Sequence, residues 1–263
     1  MKKFKANLRA VLITAEMTLR QQATDGFILF AIVVQPFITA ILALWMLRDQ
    51  SANNAIYAVV GSGMSGLWSS LLFICGNSIT VERWIGTLES IAAVPTSMSI
   101  IVLGKDLANV LQSLLSMVVC YIAAVLLFNY TLRVDQPVLF IISLVFTVVS
   151  FITFGLIIGP IFLLNPAIQS LQNGLEFPVY ILGGFLFPLA LLPNWTTPFS
   201  YLLTPYWAAR ALHLSSSGGG SLADITFCWG MMLLFSVIYV IASRYLFRAI
   251  LYRVRVDATL GLE

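Results

Sequence analysis

The residues able to do chemistry in this sequence are few, and their spacing excludes more than it permits. The 263 residues include one histidine, His213, three cysteines, and 11 acidic side chains against 14 lysines and arginines. His213 has no Ser or Cys motif beside it, so it offers neither half of a nucleophile–base pair nor a metal site, and it reads as an interfacial polar residue. Cys75, Cys120 and Cys228 all lie in apolar stretches, where a thiol acts as a small hydrophobe. Gly104-Lys105 resembles the end of a phosphate-binding loop, but Asp106 stands where Ser or Thr is needed and Ser99 where the first Gly is needed. No catalytic residue, no metal ligand and no cofactor are therefore expected on this chain. A net charge of +3 is too small a footprint for nucleic acid. Glu176 is the sole acid near the interior of an apolar stretch; a helix N-terminus near the inner interface accounts for it, with a proton or substrate role as the alternative.

The elements that must position these residues are membrane helices. A content of 60% hydrophobic and 10% charged residues lies far outside the soluble range of roughly half and a quarter. A hydrocarbon core of about 30 Å needs about 20 apolar residues per helix. Six stretches qualify, at about 27–47, 55–79, 107–128, 138–164, 174–193 and 224–247. The expected fold is an all-α polytopic membrane protein, one transmembrane domain over 1–263, with the first span as an uncleaved signal. Lys2, Lys3, Lys5, Arg9, Arg20, Arg83, Lys105, Arg244, Arg248, Arg253 and Arg255 fall on one side; Arg48, Arg133 and Arg210 fall on the other. Basic loops stay in the cytoplasm, so both termini are expected inside.

Two segments depart from plain spans. From Phe4 to Arg20, the apolar positions Phe4, Leu8, Val11, Leu12, Ala15 and Leu19 recur at helical spacing, predicting an amphipathic helix on the inner surface with that face in lipid. Around the fifth span, Pro178, Pro188, Pro193, Pro198, Pro205 and Gly183-Gly184 forbid one straight rod. Short re-entrant helices over 194–214 fit this composition, provided protein covers their free backbone groups. The small-residue spacings Gly61/Ser65, Ser62/Gly66 and Gly155/Gly159 predict close helix contacts within one subunit.

The informative stretch is VERWIGTLESIAAVPTSMSIIVLGKDL at 81–107. Glu82 and Arg83 mark the exit of the second span, Trp84 suits the interface, and a short helix capped by Thr87 should end at Pro95. The run ERWIGTLE at 82–89, with Pro95 and Gly104-Lys105 behind it, resembles the ER-x-x-GTLE…P…GK pattern of permease subunits of ABC-2 type ATP-binding-cassette transporters, the drug and antibiotic exporters especially. The stretch FPVYILGGFLFPLALLPNWTTPFSYLLTPYWAARAL at 177–212 is similar to that family's fifth span and outer re-entrant helices.

The resemblance implies a membrane subunit of a bacterial inner-membrane exporter for an amphipathic, drug-like or lipid-like molecule. It implies two copies of a separate ATPase subunit, which would hold ATP and Mg, and a second permease, identical or homologous. The helix of about 82–95 would seat on the ATPase through Glu82, Arg83, Gly86, Thr87 and Glu89, with the loop Asn165–Gln172 as a smaller contact. Spans two and five would line the route, exposing Tyr57, Trp68, Phe73, Phe177, Tyr180, Phe185 and Phe187. The rival readings are an ion-coupled secondary transporter, which would normally place carboxylates at mid-membrane, and a membrane assembly subunit without a transport cycle.

The topology has a direct check. Single cysteines replacing Asn53, Asn129 and Ser217 should react with an impermeant thiol reagent from outside, and those replacing Asn7 and Ser90 should not. Outside labelling at Ser90 would overturn the arrangement of spans.

Overall fold

The structure, a computed structural model, describes residues 2–46, 52–94, 96–130 and 133–257; Arg48, Pro95 and Thr131 lie outside the described residues. Helix α1 is Lys2–Gln22. Five further helices are long and apolar enough to cross a membrane: α2 (Gly26–Met46), α3 (Ala55–Ile85), α5 (Met98–Phe128), α6 (Pro137–Leu164) and the first part of α11 (Leu222–Asp257). Between them lie α4 (Leu88–Ala93), α7 (Pro166–Ser170), α8 (Gln172–Leu182), α9 (Thr197–Tyr201) and α10 (Thr204–Ser217). No strand occurs among the described residues. The chain is an all-α polytopic membrane protein, as its composition predicts: in hydrocarbon only a helix satisfies its own backbone without a partner strand.

Local sequence sets where these helices start and bend. The Asp25 carboxylate caps α2, accepting from the Phe27 and Ile28 amides at 2.9 and 3.4 Å. Pro36 has no amide to give the preceding turn, and residues Phe30–Val34 widen into a π turn in which the Gln35 amide reaches the Phe30 carbonyl. A second π turn, Leu71–Cys75, interrupts α3. Helix α6 carries Pro160 inside and stops at Asn165, ahead of Pro166.

Helix α3 is the hub. It is enclosed along most of its length by α2, α5, α6 and α10, while the other four long helices each keep an outward apolar face. On α2 that face is Phe27, Phe30, Ile38, Leu42 and Trp45. Helix α11 runs along α6, where Trp229 Nε1 donates to Ser143 Oγ at 2.9 Å and stacks on Phe146. Helix α1 lies along α5, burying Ala15, Thr18 and Gln22 and setting the Val11 carbonyl against Gly104. Of the face expected in lipid, Leu8, Leu12 and Leu19 are exposed, but Ala15 packs on protein.

The segment expected as a fifth span at 174–193 is helical only to Leu182. The chain turns at Gly183-Gly184, Gly184 having φ +64°, then passes through short 3₁₀ turns at Leu189–Leu191 and Asn194–Thr196 into α9 and α10. The turn is pinned from three directions. Tyr57 Oη donates to the Gly184 carbonyl at 2.9 Å, and its ring stacks on His213 with centroids 3.6 Å apart. His213 Nε2 donates to the Phe185 carbonyl at 3.1 Å. Burial pushes the His213 imidazole down to about 3, so it holds this contact neutral at physiological pH.

The close approach expected at Gly61 occurs within the chain, but against the turn that follows α8 and not against another helix. A Cβ on Gly61 would stand 1.9 Å from the Phe185 carbonyl oxygen. Because that oxygen is backbone and already held by His213, it cannot step aside as a side chain would. Gly61→Val should therefore destabilise by at least the about 1–3 kcal/mol typical of overpacking, read as a lower thermal midpoint of the detergent-solubilised protein; an unchanged midpoint would show that the turn moves freely.

Candidate functional site

Two groups of side chains stand out, one at the cytoplasmic end of α3 by the orientation expected above and one inside the helix bundle. The first is the elbow carrying the ERWIGTLE run. Helix α3 ends at Ile85, and Gly86 adopts φ +77°, left-handed, with its amide and the Thr87 amide returning to the Arg83 and Glu82 carbonyls. This is a Gly-terminated helix end in which any other L residue would be strained. Helix α4 then starts at Leu88, which is buried together with Ile79, Met98, Val102, Phe247 and Ile250.

Glu82 organises the elbow. Its carboxylate pairs with Lys105 Nζ across 23 residues of sequence and accepts from the Thr87 hydroxyl. Lys105 Nζ also reaches the Ser78 carbonyl at 3.4 Å. Both partners are mostly withdrawn from solvent, at 21% and 18% side-chain exposure, so the pair is less screened than a surface bridge. Thr87 does not cap α4 through its side chain as expected: its backbone is helical and its hydroxyl is spent on Glu82. The Glu89 side chain lies outside the described residues; Trp84 and Ile85 are exposed beside the elbow. Of the five residues expected at the ATPase, the elbow thus brings Glu82, Arg83, Gly86 and Thr87 together, with Glu82 and Thr87 turned toward the fold.

Next to the elbow a cleft of about 350 Å³ opens between α1, the start of α2 and the end of α3. Gln22, Asn77, Ser78, Lys105 and Asn109 give it a polar wall, and Phe27, Ile28 and Phe73 an apolar one. Gln22 Nε2 donates to Asn109 Oδ1 at 2.6 Å. On the other side of Asn77, its Oδ1 accepts from Gln169 Nε2 of α7 at 2.8 Å and its Nδ2 donates to Gln172 Oε1 of α8 at 3.3 Å.

The second group lies farther along the same α3–α8 contact. Glu176, 5% exposed, sits among α2, α3 and α8. Its Oε1 accepts from Gln35 Nε2 at 2.8 Å, from Tyr180 Oη at 2.5 Å and from Ser69 Oγ. Gln35 also donates to Ser69 at 3.2 Å, and Tyr180 Oη reaches the Ser65 carbonyl at 3.3 Å. A helix N-terminus does not account for this carboxylate, since side chains from three helices solvate it.

The aromatic residues expected along the route separate into three environments. Tyr180 contacts Phe177 and Phe185, with ring centroids 5.9 and 5.8 Å apart. Phe177 is exposed, Phe73 lines the cleft, and Phe187 is half-buried beyond the turn. Phe185 and Trp68 are enclosed, Trp68 against Phe154 of α6, and Tyr57 belongs to the His213 contact. Sequence reasoning missed Gln35, Ser69, Asn77, Gln172 and the pairing role of Lys105. Polar residues inside apolar stretches were the available signal for the first three.

If Glu82–Lys105 holds the elbow shut, removing one partner should cost more than removing both. Lys105→Met should lower stability by about 1–3 kcal/mol by leaving Glu82 underpaired, and adding Glu82→Gln should recover part of the loss, read from thermal midpoints in a double-mutant cycle. Strictly additive losses would show that the two groups are independent.

A family model described as ABC-2 type transporter matches residues 9–215, covering the elbow, the cleft, the Glu176 group and the outer turn. The chain is 27% identical over 162 residues to ABC transporter G family member 20 of Dictyostelium discoideum, an alignment spanning 61% of this chain and 22% of that longer protein. With most of its length inside the family model, the chain belongs to the ABC-2 type transporter family, as a multi-pass transporter membrane domain.

Proposed function

We propose that this chain is the permease subunit of an ATP-binding-cassette exporter that moves an amphipathic, drug-like or lipid-like molecule out of the cytoplasm. ATP and Mg are bound by a partner ATPase, two copies per complex, and a second permease, identical or homologous, completes the pathway. The observation that carries this reading is the elbow: a short helix held at a fixed angle by Glu82, Lys105, Thr87 and a left-handed Gly86. A lever transmits force only if its base does not flex. Here the base, the short helical stretch Thr80–Ile85, is joined by an ion pair to α5.

In this reading the exposed Trp84, Ile85 and the outer face of α4 meet the ATPase, with Arg83 and Glu89 as further coupling residues and Glu82 acting behind the surface as a positioning residue. The loop with α7 is a second contact, tied to α3 through Gln169 and Asn77. The domain inserts in a bacterial inner membrane with α1, the elbow and the end of α11 on the cytoplasmic side. Helix α8 with its outer turn counts as a sixth crossing, and α9 and α10 lie in the outer leaflet. The family resemblance to drug and antibiotic exporters supports outward movement. The long apolar faces and scarce ionisable groups support an amphipathic cargo.

The test is substrate-stimulated ATP hydrolysis in a complex reconstituted with the partner ATPase. Glu82→Lys would set two cations face to face, Gly86→Pro would forbid the left-handed turn, and Glu89→Lys would reverse one charge of the ERWIGTLE run. The first two should reduce stimulation at least tenfold and the third less, with monodisperse elution as the check on folding. The permease alone should hydrolyse no ATP. Wild-type stimulation in all three variants would reduce the elbow to an ordinary loop.

A further inference from the structure

Starting at the cleft, polar side chains follow the contact between α3 and α8 into the bundle. In order they are Gln169, Asn77, Gln172, then Glu176 with Ser69, Tyr180 and Ser65. Ser69 and Asn77 are eight residues apart on α3, about 12 Å at 1.5 Å per residue. The line therefore climbs well into the apolar layer. Such a row inside a bundle is costly unless each group is paired, and each of these side chains has a partner within this chain. The three donors on Glu176 converge on Oε1, and among the described residues none reaches Oε2. Every recorded partner of this carboxylate is neutral: an amide, a hydroxyl and a phenol. Beside it stands Tyr180, whose ring in turn contacts Phe177 and Phe185.

A carboxylate with one oxygen unclaimed, in a wall that also carries aromatic side chains, is the chemistry that receives an organic cation. The carboxylate supplies the counter-charge, the ring faces attract the ammonium, and the surrounding helices take the hydrocarbon. We propose that Glu176 is the cargo-reading residue of this permease and that its cargo is an amphiphile bearing a basic nitrogen, which enters at the cleft and engages Glu176 between α3 and α8. This rests on the export reading above and narrows its substrate class. The neutral donors on Oε1 hold the carboxylate in place and leave its charge uncompensated, so the site favours a cation over a neutral molecule of the same shape.

The experiment uses the reconstituted permease–ATPase complex and two fluorescent amphiphiles identical except at the polar end, a tertiary amine in one and a hydroxyl in the other. The reading is the ratio of their half-stimulating concentrations for ATP hydrolysis, taken within each variant. In the wild type the amine should act at a concentration at least tenfold below the alcohol. Glu176→Gln keeps an acceptor oxygen for the three donors and should bring the two probes within about twofold. Tyr180→Phe removes one donor but not the charge and should keep the preference. No amine preference in the wild type, or a preference that survives Glu176→Gln, overturns the inference while leaving export of amphiphiles intact if the alcohol still stimulates. Equal weakening of both probes by Glu176→Gln overturns it in favour of a purely structural carboxylate. Stimulation by neither probe overturns this inference and the export reading together.

Discussion

Inside a bilayer no water is at hand to satisfy a polar group, and each feature of this chain answers that constraint. It dictates helices for the long crossings. It also explains why polar side chains within them meet one another: Gln35, Ser69 and Tyr180 converge on Glu176, and Asn77 joins Gln169 and Gln172. Where the backbone has to leave helical form, at Gly183–Phe187, the carbonyls of Gly184 and Phe185 are taken up by Tyr57 and His213. The one histidine is thus spent on the turn that follows α8.

The elbow solves a related problem at the membrane boundary. Glu82 and Lys105 would each hold water at a free surface, yet they face one another and seal the junction of α3 and α5. Gly86 supplies the reversal that lets α4 fold back so that Leu88 reaches Met98 and Ile250. The segment is therefore an outlying piece of the core. A force applied to α4 is passed to α3 through backbone and to α5 through charge.

Much of this was legible in the residues. Apolar length marked six stretches, five of which are long helices, and the proline and glycine spacing marked the remaining one, 174–193, as broken. The small residues of α3 announced its close contacts, and ERWIGTLE with Gly104-Lys105 announced the elbow. What remained hidden were pairings distant in sequence. Nothing local ties Gln35 or Ser69 to Glu176, which lie 141 and 107 positions away from it. Periodicity reports which face of a helix is apolar but not which neighbour arrives there, and for that reason Ala15, assigned to lipid, packs on α5. Thr87 misled for the opposite reason: its cap signature was sound, but a carboxylate competed for the hydroxyl.

The π turn at Leu71–Cys75 sets the angular phase of α3. Two ordinary helical turns take 7.2 residues, so two side chains eight apart overshoot alignment by most of one residue. The wider turn absorbs that residue. Ser69 and Asn77 can then address the same neighbour, α8, from above and below the bulge. Deleting one residue from this turn would restore regular winding and swing the far end of the helix about 100° about its axis. Asn77 would rotate away from α8 in the same movement, so the meeting of Asn77 with Gln169 and Gln172 depends on a single surplus residue.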